Sequence, residues 1–121
     1  MIKLQQFIYV CAPSFAQKAA EKALEISLKE KINQYREKKD IIFTGLKRYY
    51  QITEPLGAFY VFVKTPEKED EFVKTLVRNN IIVVPGRVFS QKSGYIRISY
   101  ATKKANIYKA IKIFQKIAII R

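Results

Sequence analysis

The chain has 121 residues, 49% apolar and 27% charged, which suits one globular domain with a buried core and not a disordered segment. Lys and Arg number 23 against 10 acids, a formal net charge of +13. There is no histidine and only one cysteine, Cys11, which exclude a histidine base, an internal disulfide and a cysteine-built zinc site.

No segment offers the roughly 18 uncharged apolar residues of a membrane span. Met1-Ile2-Lys3-Leu4-Gln5-Gln6 is too polar for the core of a signal peptide. Pro13-Ser14 opens a helix, and Ser14 with Gln17 has capping-box spacing. Ala20, Leu24, Leu28, Ile32 and Tyr35 make one apolar stripe, with Glu25 and Lys29 as an i,i+4 pair beside it. The spacing predicts one helix over about 14–38. Such length in a small domain fits an element that reaches a neighbouring domain.

A second helix is predicted from about Asp40, with Ile42, Leu46 and Tyr49 on one face; Gly45 inside it costs about 1 kcal/mol relative to Ala. Glu54-Pro55-Leu56-Gly57 is turn chemistry, and Ala58 to Val63 reads as a strand covered on both faces. Thr65-Pro66 predicts a helix start, with acids early, Lys74 and Arg78 late, and Phe72, Val73, Leu76 and Val77 facing inward. Ile81 to Val84 is a short strand stopped by Pro85-Gly86, Tyr95 to Tyr100 is another, and a last helix begins near Thr102. In it Ile107, Ile111, Phe114 and Ala118 point inward. The expected architecture is a single α+β domain over residues 1–121: a small, largely antiparallel sheet with helices packed on one side.

None of the glycines has the spacing of a phosphate-cradling loop. In Tyr95-Ile96-Arg97-Ile98-Ser99-Tyr100 the alternation puts Ile96, Ile98 and Tyr100 on one face and Arg97 on the other. A guanidinium at mid-strand is costly without an anion, and its planar fork suits a carboxylate or a phosphate. Arg97 therefore either pairs with an acid of this chain or receives an anion from outside. Cys11, among apolar residues and with no base to activate it, reads as a small buried side chain. The tyrosines could stack on bases in a basic protein, but aromatics phased with a helix or strand generally belong to the core.

Four motifs in order, Leu4-Gln5-Gln6 through Cys11-Ala12-Pro13-Ser14-Phe15-Ala16-Gln17, Glu54 to Tyr60, Val83 to Phe89, and Tyr95 to Ala101, resemble the C-terminal part of class I/II aminotransferases of fold type I, the aspartate aminotransferase family. The resemblance runs from about Lys3 to Ile117. It implies the small domain of a pyridoxal phosphate-dependent, homodimeric, cytoplasmic enzyme that exchanges an amino group between an amino acid and a 2-oxo acid. The cofactor is the electron sink of that chemistry. The Schiff-base lysine and the other cofactor-holding groups belong to a large domain absent from these residues. None of the lysines here stands in the matching context, so the isolated chain is expected to be inactive and to bind the cofactor poorly.

By the same resemblance Arg97 grips the substrate α-carboxylate, and Gly57, Pro85 and Gly86 line the cleft facing the large domain. No residue here is implied to be catalytic or to ligate a metal, and the helix over about 14–38 becomes the connector between domains. The family often has a small residue where Arg87 stands and a glycine where Ser90 stands, differences that bear on cleft shape and substrate choice. Two other readings remain beside this one: an interaction fragment exposing an apolar face, and, behind it, a basic nucleic-acid-binding module whose affinity falls steeply with salt.

Overall fold

The computed structural model describes residues 2–8 and 11–120. Five helices and three strands follow one another: α1 (Ile2–Ile8), α2 (Ser14–Ala23), α3 (Lys29–Leu46), β1 (Tyr60–Lys64), α4 (Glu69–Arg78), β2 (Val84–Pro85), β3 (Tyr95–Ser99) and α5 (Lys104–Ile119). A 3-10 turn, Gly86–Val88, links β2 to the segment before β3. The chain divides after Lys31 into two compact units. No helix among the described residues is long and apolar enough to cross a membrane.

The first unit carries α1 and α2, neither of which buries a side chain. Cys11 is exposed, contrary to the buried role its neighbours suggested. The capping box does not form either: Ser14 is already helical, and Gln17 Nε2 donates back to the carbonyl of Ala12 at 2.7 Å. The helix expected over 14–38 is interrupted. Amides of Leu24, Glu25 and Ile26 donate to carbonyls three residues earlier, which tightens and ends α2. Ser27 Oγ then accepts the Lys29 amide at 3.4 Å as α3 begins. The break separates Glu25 from Lys29, and Glu25 pairs instead with Lys22 at 2.5 Å.

In the second unit, helix continues through Asp40 to Leu46 with no new start there. Ile42 and Leu46 are buried as expected, but the helix stops at Leu46 and Tyr50, not Tyr49, turns inward. The fold is α+β, a three-stranded antiparallel sheet in the order β1-β3-β2. Tyr60 pairs with Ser99, Phe62 with Arg97 and Lys64 with Tyr95, while Val84 faces Arg97 from the other side. Val61, Val63, Ile96 and Ile98 face the helices, forming one core with Leu46, Phe72, Leu76, Ile111 and Phe114. The phenol of Tyr50 donates to the Phe114 carbonyl at 2.7 Å inside it.

Further boundaries differ from the sequence reading, among them β1, which begins at Tyr60 and not at Ala58. The strand expected over Ile81 to Val84 is only Val84–Pro85, and proline stands inside it, facing Ile96. Thr65-Pro66 does not start α4, because the Thr65 hydroxyl donates to the Glu67 carbonyl at 2.7 Å and forms a turn. The helix therefore begins at Glu69, and Val77 falls on its exposed side. The last helix begins at Lys104, slightly after Thr102.

Candidate functional site

The sheet face away from the helices carries Tyr60, Phe62, Tyr95 and Arg97, half-buried and in register. An open cleft of about 530 Å³ lies over it. Beyond these four side chains its walls are Gly86, Phe89, Ser90 and Lys92, from the 3-10 turn and the segment leading into β3. Two cations, Lys92 and Arg97, and the Ser90 hydroxyl stand among phenyl and phenol rings, and none of these lining residues is a carboxylate. An anion with some apolar body fits such a surface.

Arg97 is held by rings. Its guanidinium lies 4.0 Å from the centre of the Phe89 ring and 5.0 Å from that of Tyr60. Phe62, directly across the ladder, meets both rings edge to face, 6.1 Å from Phe89 and 6.0 Å from Tyr60 between ring centres. Among the described residues no acid forms an ion pair with Arg97. Of the two alternatives that the strand pattern left open, pairing with an acid of this chain is not found among the described residues.

The nearby acids go instead to Arg87, which the sequence marked only as a departure from the family pattern. Its guanidinium meets Glu69 Oε1 at 3.3 Å and also pairs with Asp70. The hydrogen bond it donates to Asp70, and the charge of that carboxylate, hold the Arg87 pKa above the ordinary arginine value. So Arg87 is engaged with α4 and does not line the cleft, whereas Ser90 does.

Of the other residues singled out by sequence, Gly86 shares the cleft with Arg97, and Pro85 adjoins it as the last residue of β2. Gly57 lies apart from that wall in the bend before β1, where its carbonyl accepts the Tyr100 hydroxyl at 3.5 Å. Sequence reasoning reached Phe89 only as the end of the turn from Pro85 that the resemblance set against the cleft, and did not single out Phe62 or Lys92. Phe62 lies in a run that is apolar at both parities and Lys92 in irregular chain, so neither had a period to mark it. Among the described residues no cluster of three His, Cys, Asp or Glu side chains could hold a metal ion.

Residues 1–114 match the family described as Aminotransferase class I and II. A probable aspartate aminotransferase of Methanocaldococcus jannaschii is 39% identical over 123 aligned residues, covering 97% of this chain and 33% of that protein. An aspartate aminotransferase of Thermococcus kodakarensis is 35% identical over 107, covering 84% of this chain and 29% of its own. The crystal structure of the aspartate aminotransferase of Thermotoga maritima superposes with a TM-score of 0.85 at 31% identity, over 95% of this chain and 31% of that one. This chain thus spans about a third of the length of the relatives it matches. In sequence along nearly its whole length, and in fold, the chain belongs to the class I and II aminotransferase family.

Proposed function

We propose that the chain is the part of an aspartate aminotransferase-like, pyridoxal phosphate-dependent enzyme that binds the substrate α-carboxylate through Arg97 and closes over the cleft. The reaction would move an amino group between an amino acid and a 2-oxo acid. One observation carries this reading: a half-buried, mid-strand guanidinium with no acidic partner among the described residues stands on a cleft wall, with rings on two sides. Such an arrangement leaves the planar fork free for a bidentate carboxylate while its aromatic neighbours limit its rotation.

The cleft wall does not fit the cofactor's own seat, because none of its lining residues offers an acid to a pyridine nitrogen. What these residues do is bind and orient. A carboxylate fixed by two parallel hydrogen bonds sets the direction of the substrate's Cα bonds, and the neighbouring rings keep water from the guanidinium.

In the complete enzyme that contains this chain, Arg97→Lys keeps the charge but loses the fork. It is expected to raise KM for both the amino acid and the 2-oxo acid about tenfold or more. An unchanged KM would overturn the assignment. The 121-residue chain alone is expected to show neither transamination nor a shifted absorbance of added pyridoxal phosphate.

A further inference from the structure

Glu69, the first residue of α4, is only 6% exposed, an unusual place for a carboxylate. Both of its oxygens are occupied by donors from a segment 18 to 26 residues further along the chain. Oε2 accepts the amide of Gly94 at 2.7 Å and that of Tyr95 at 3.2 Å. Oε1 accepts the Arg87 guanidinium at 3.3 Å and, more weakly, the Arg87 amide at 3.5 Å. One side chain therefore ties together the two ends of the segment between Arg87 and Tyr95.

That segment is a wall of the cleft, irregular from Phe89 to Gly94, and it carries Phe89, Ser90 and Lys92. Its far end is held a second time, where the Gly94 carbonyl accepts the Thr65 amide at 2.9 Å with Gly94 at a φ of 87°. Phe89 covers the face of the Arg97 guanidinium, so wherever the segment sits decides how that guanidinium is oriented.

The geometry points to Glu69 as a positioning residue: by bracing both ends of the segment 87–95 it sets Phe89 over Arg97 and so fixes the arginine for a carboxylate. This rests on the reading of Arg97 given above. Four donors and no acceptor surround the side chain, so only a group that accepts at both oxygens satisfies them. Glutamine has the same volume but would turn its NH₂ toward N–H donors on one side. That makes Glu69→Gln decisive, since a role in packing alone would tolerate it.

The test is the complete enzyme, with rates expressed per bound cofactor so that misfolded protein is not counted. Glu69→Gln is expected to raise KM for the amino acid about five- to tenfold with kcat within about twofold, the scale of one ordinary hydrogen bond lost. Amide hydrogen exchange at Gly94 and Tyr95 should quicken about tenfold while that of Val61 and Val63 in β1 stays as it was. An unchanged KM, or exchange that quickens equally throughout the sheet, overturns the proposal. Should Glu69→Gln fail to fold, Arg87→Ala removes one donor at the surface and is expected to raise KM about two- to fourfold; no rise there overturns the proposal as well. Arg97→Lys run alongside keeps the two ideas apart. If its KM is unchanged, the carboxylate reading fails; if its KM rises while that of Glu69→Gln does not, the role of Glu69 fails alone.

Discussion

Gly45 lies against Ile111: a Cβ built on the glycine would come 2.7 Å from Ile111 Cδ1 and 2.9 Å from its Cγ2. The contact explains a glycine in the middle of α3, where alanine would gain about 1 kcal/mol of helix propensity. Ile111 is buried and branched at Cβ, so it cannot swing clear without disturbing Phe114 and Leu46 around it. Gly45→Ala is therefore expected to lower stability by about 1 kcal/mol net, overpacking outweighing propensity. Urea unfolding checks it, and combining it with Ile111→Val should cost less than the sum of the two changes.

Two glycines that the sequence placed in the same cleft should behave oppositely. A Cβ on Gly86 would stand 2.8 Å from the Tyr95 carbonyl oxygen and 2.9 Å from the Tyr95 Cβ, atoms fixed by β3. Gly86→Ala is expected to force β2 from β3 and lower stability by about 2–3 kcal/mol. Nothing lies within 4 Å of a Cβ on Gly57, and Gly57→Ala should change stability by no more than about 0.5 kcal/mol. Equal losses in denaturant midpoint would contradict the close approach at Gly86.

Tyr100 gives the unit an alkaline limit. Its side chain is buried, and its hydroxyl donates to the Ala58 carbonyl at 3.0 Å, holding a residue whose φ is 66°. Burial raises the phenol's pKa above 10.0, with the Lys39 charge opposing. The folded chain then keeps its proton after the unfolded chain has lost it, so this contribution is whole below pH 10 and declines as pH rises through the raised value. Lys39, raised by the hydrogen bonds it donates to Asp40 and Glu54, declines in the same direction from its own ordinary value of 10.5. Unfolding midpoints from pH 8 to 11 should fall more steeply for the native sequence than for Tyr100→Phe, whose stability near neutrality is lower by about 1 kcal/mol.

How much of this could be read beforehand depended on whether the signal was local. The alternation in Tyr95 to Tyr100 set Ile96, Ile98 and Tyr100 inward and Arg97 outward, and all three of the former are buried. The break at Leu24 to Leu28 was hidden because an apolar stripe at helical spacing continues across it, while the hydroxyl of Ser27 restarts the helix from outside the stripe. The start of α4 was misplaced for a related reason: Thr65-Pro66 is as good a turn as it is a cap. Glu69 was invisible because its partners are mainly backbone amides of Arg87, Gly94 and Tyr95, and an amide has no sequence signature. Arg97 itself was legible, as a costly residue in a periodic strand, but its lack of an ion pair among the described residues needed the fold, which hands Glu69 and Asp70 to Arg87.

That lack of an ion pair leads to a last prediction, which separates a structural arginine from a functional one. Arg97 contributes two ring contacts, each about 0.5–1 kcal/mol at a partly exposed site, and no ion pair among the described residues. Leucine keeps much of the packing, suits a strand tolerably and removes a guanidinium that is costly to desolvate. Arg97→Leu should therefore shift stability by no more than about 1–2 kcal/mol in either direction, against the 3–5 kcal/mol expected on breaking a buried ion pair. Chemical denaturation of the two sequences decides it. A loss of the larger size would make Arg97 a structural residue; a near-silent change would leave the cost of keeping a bare guanidinium at mid-strand unexplained by folding, and a carboxylate supplied by the substrate would be its counterpart.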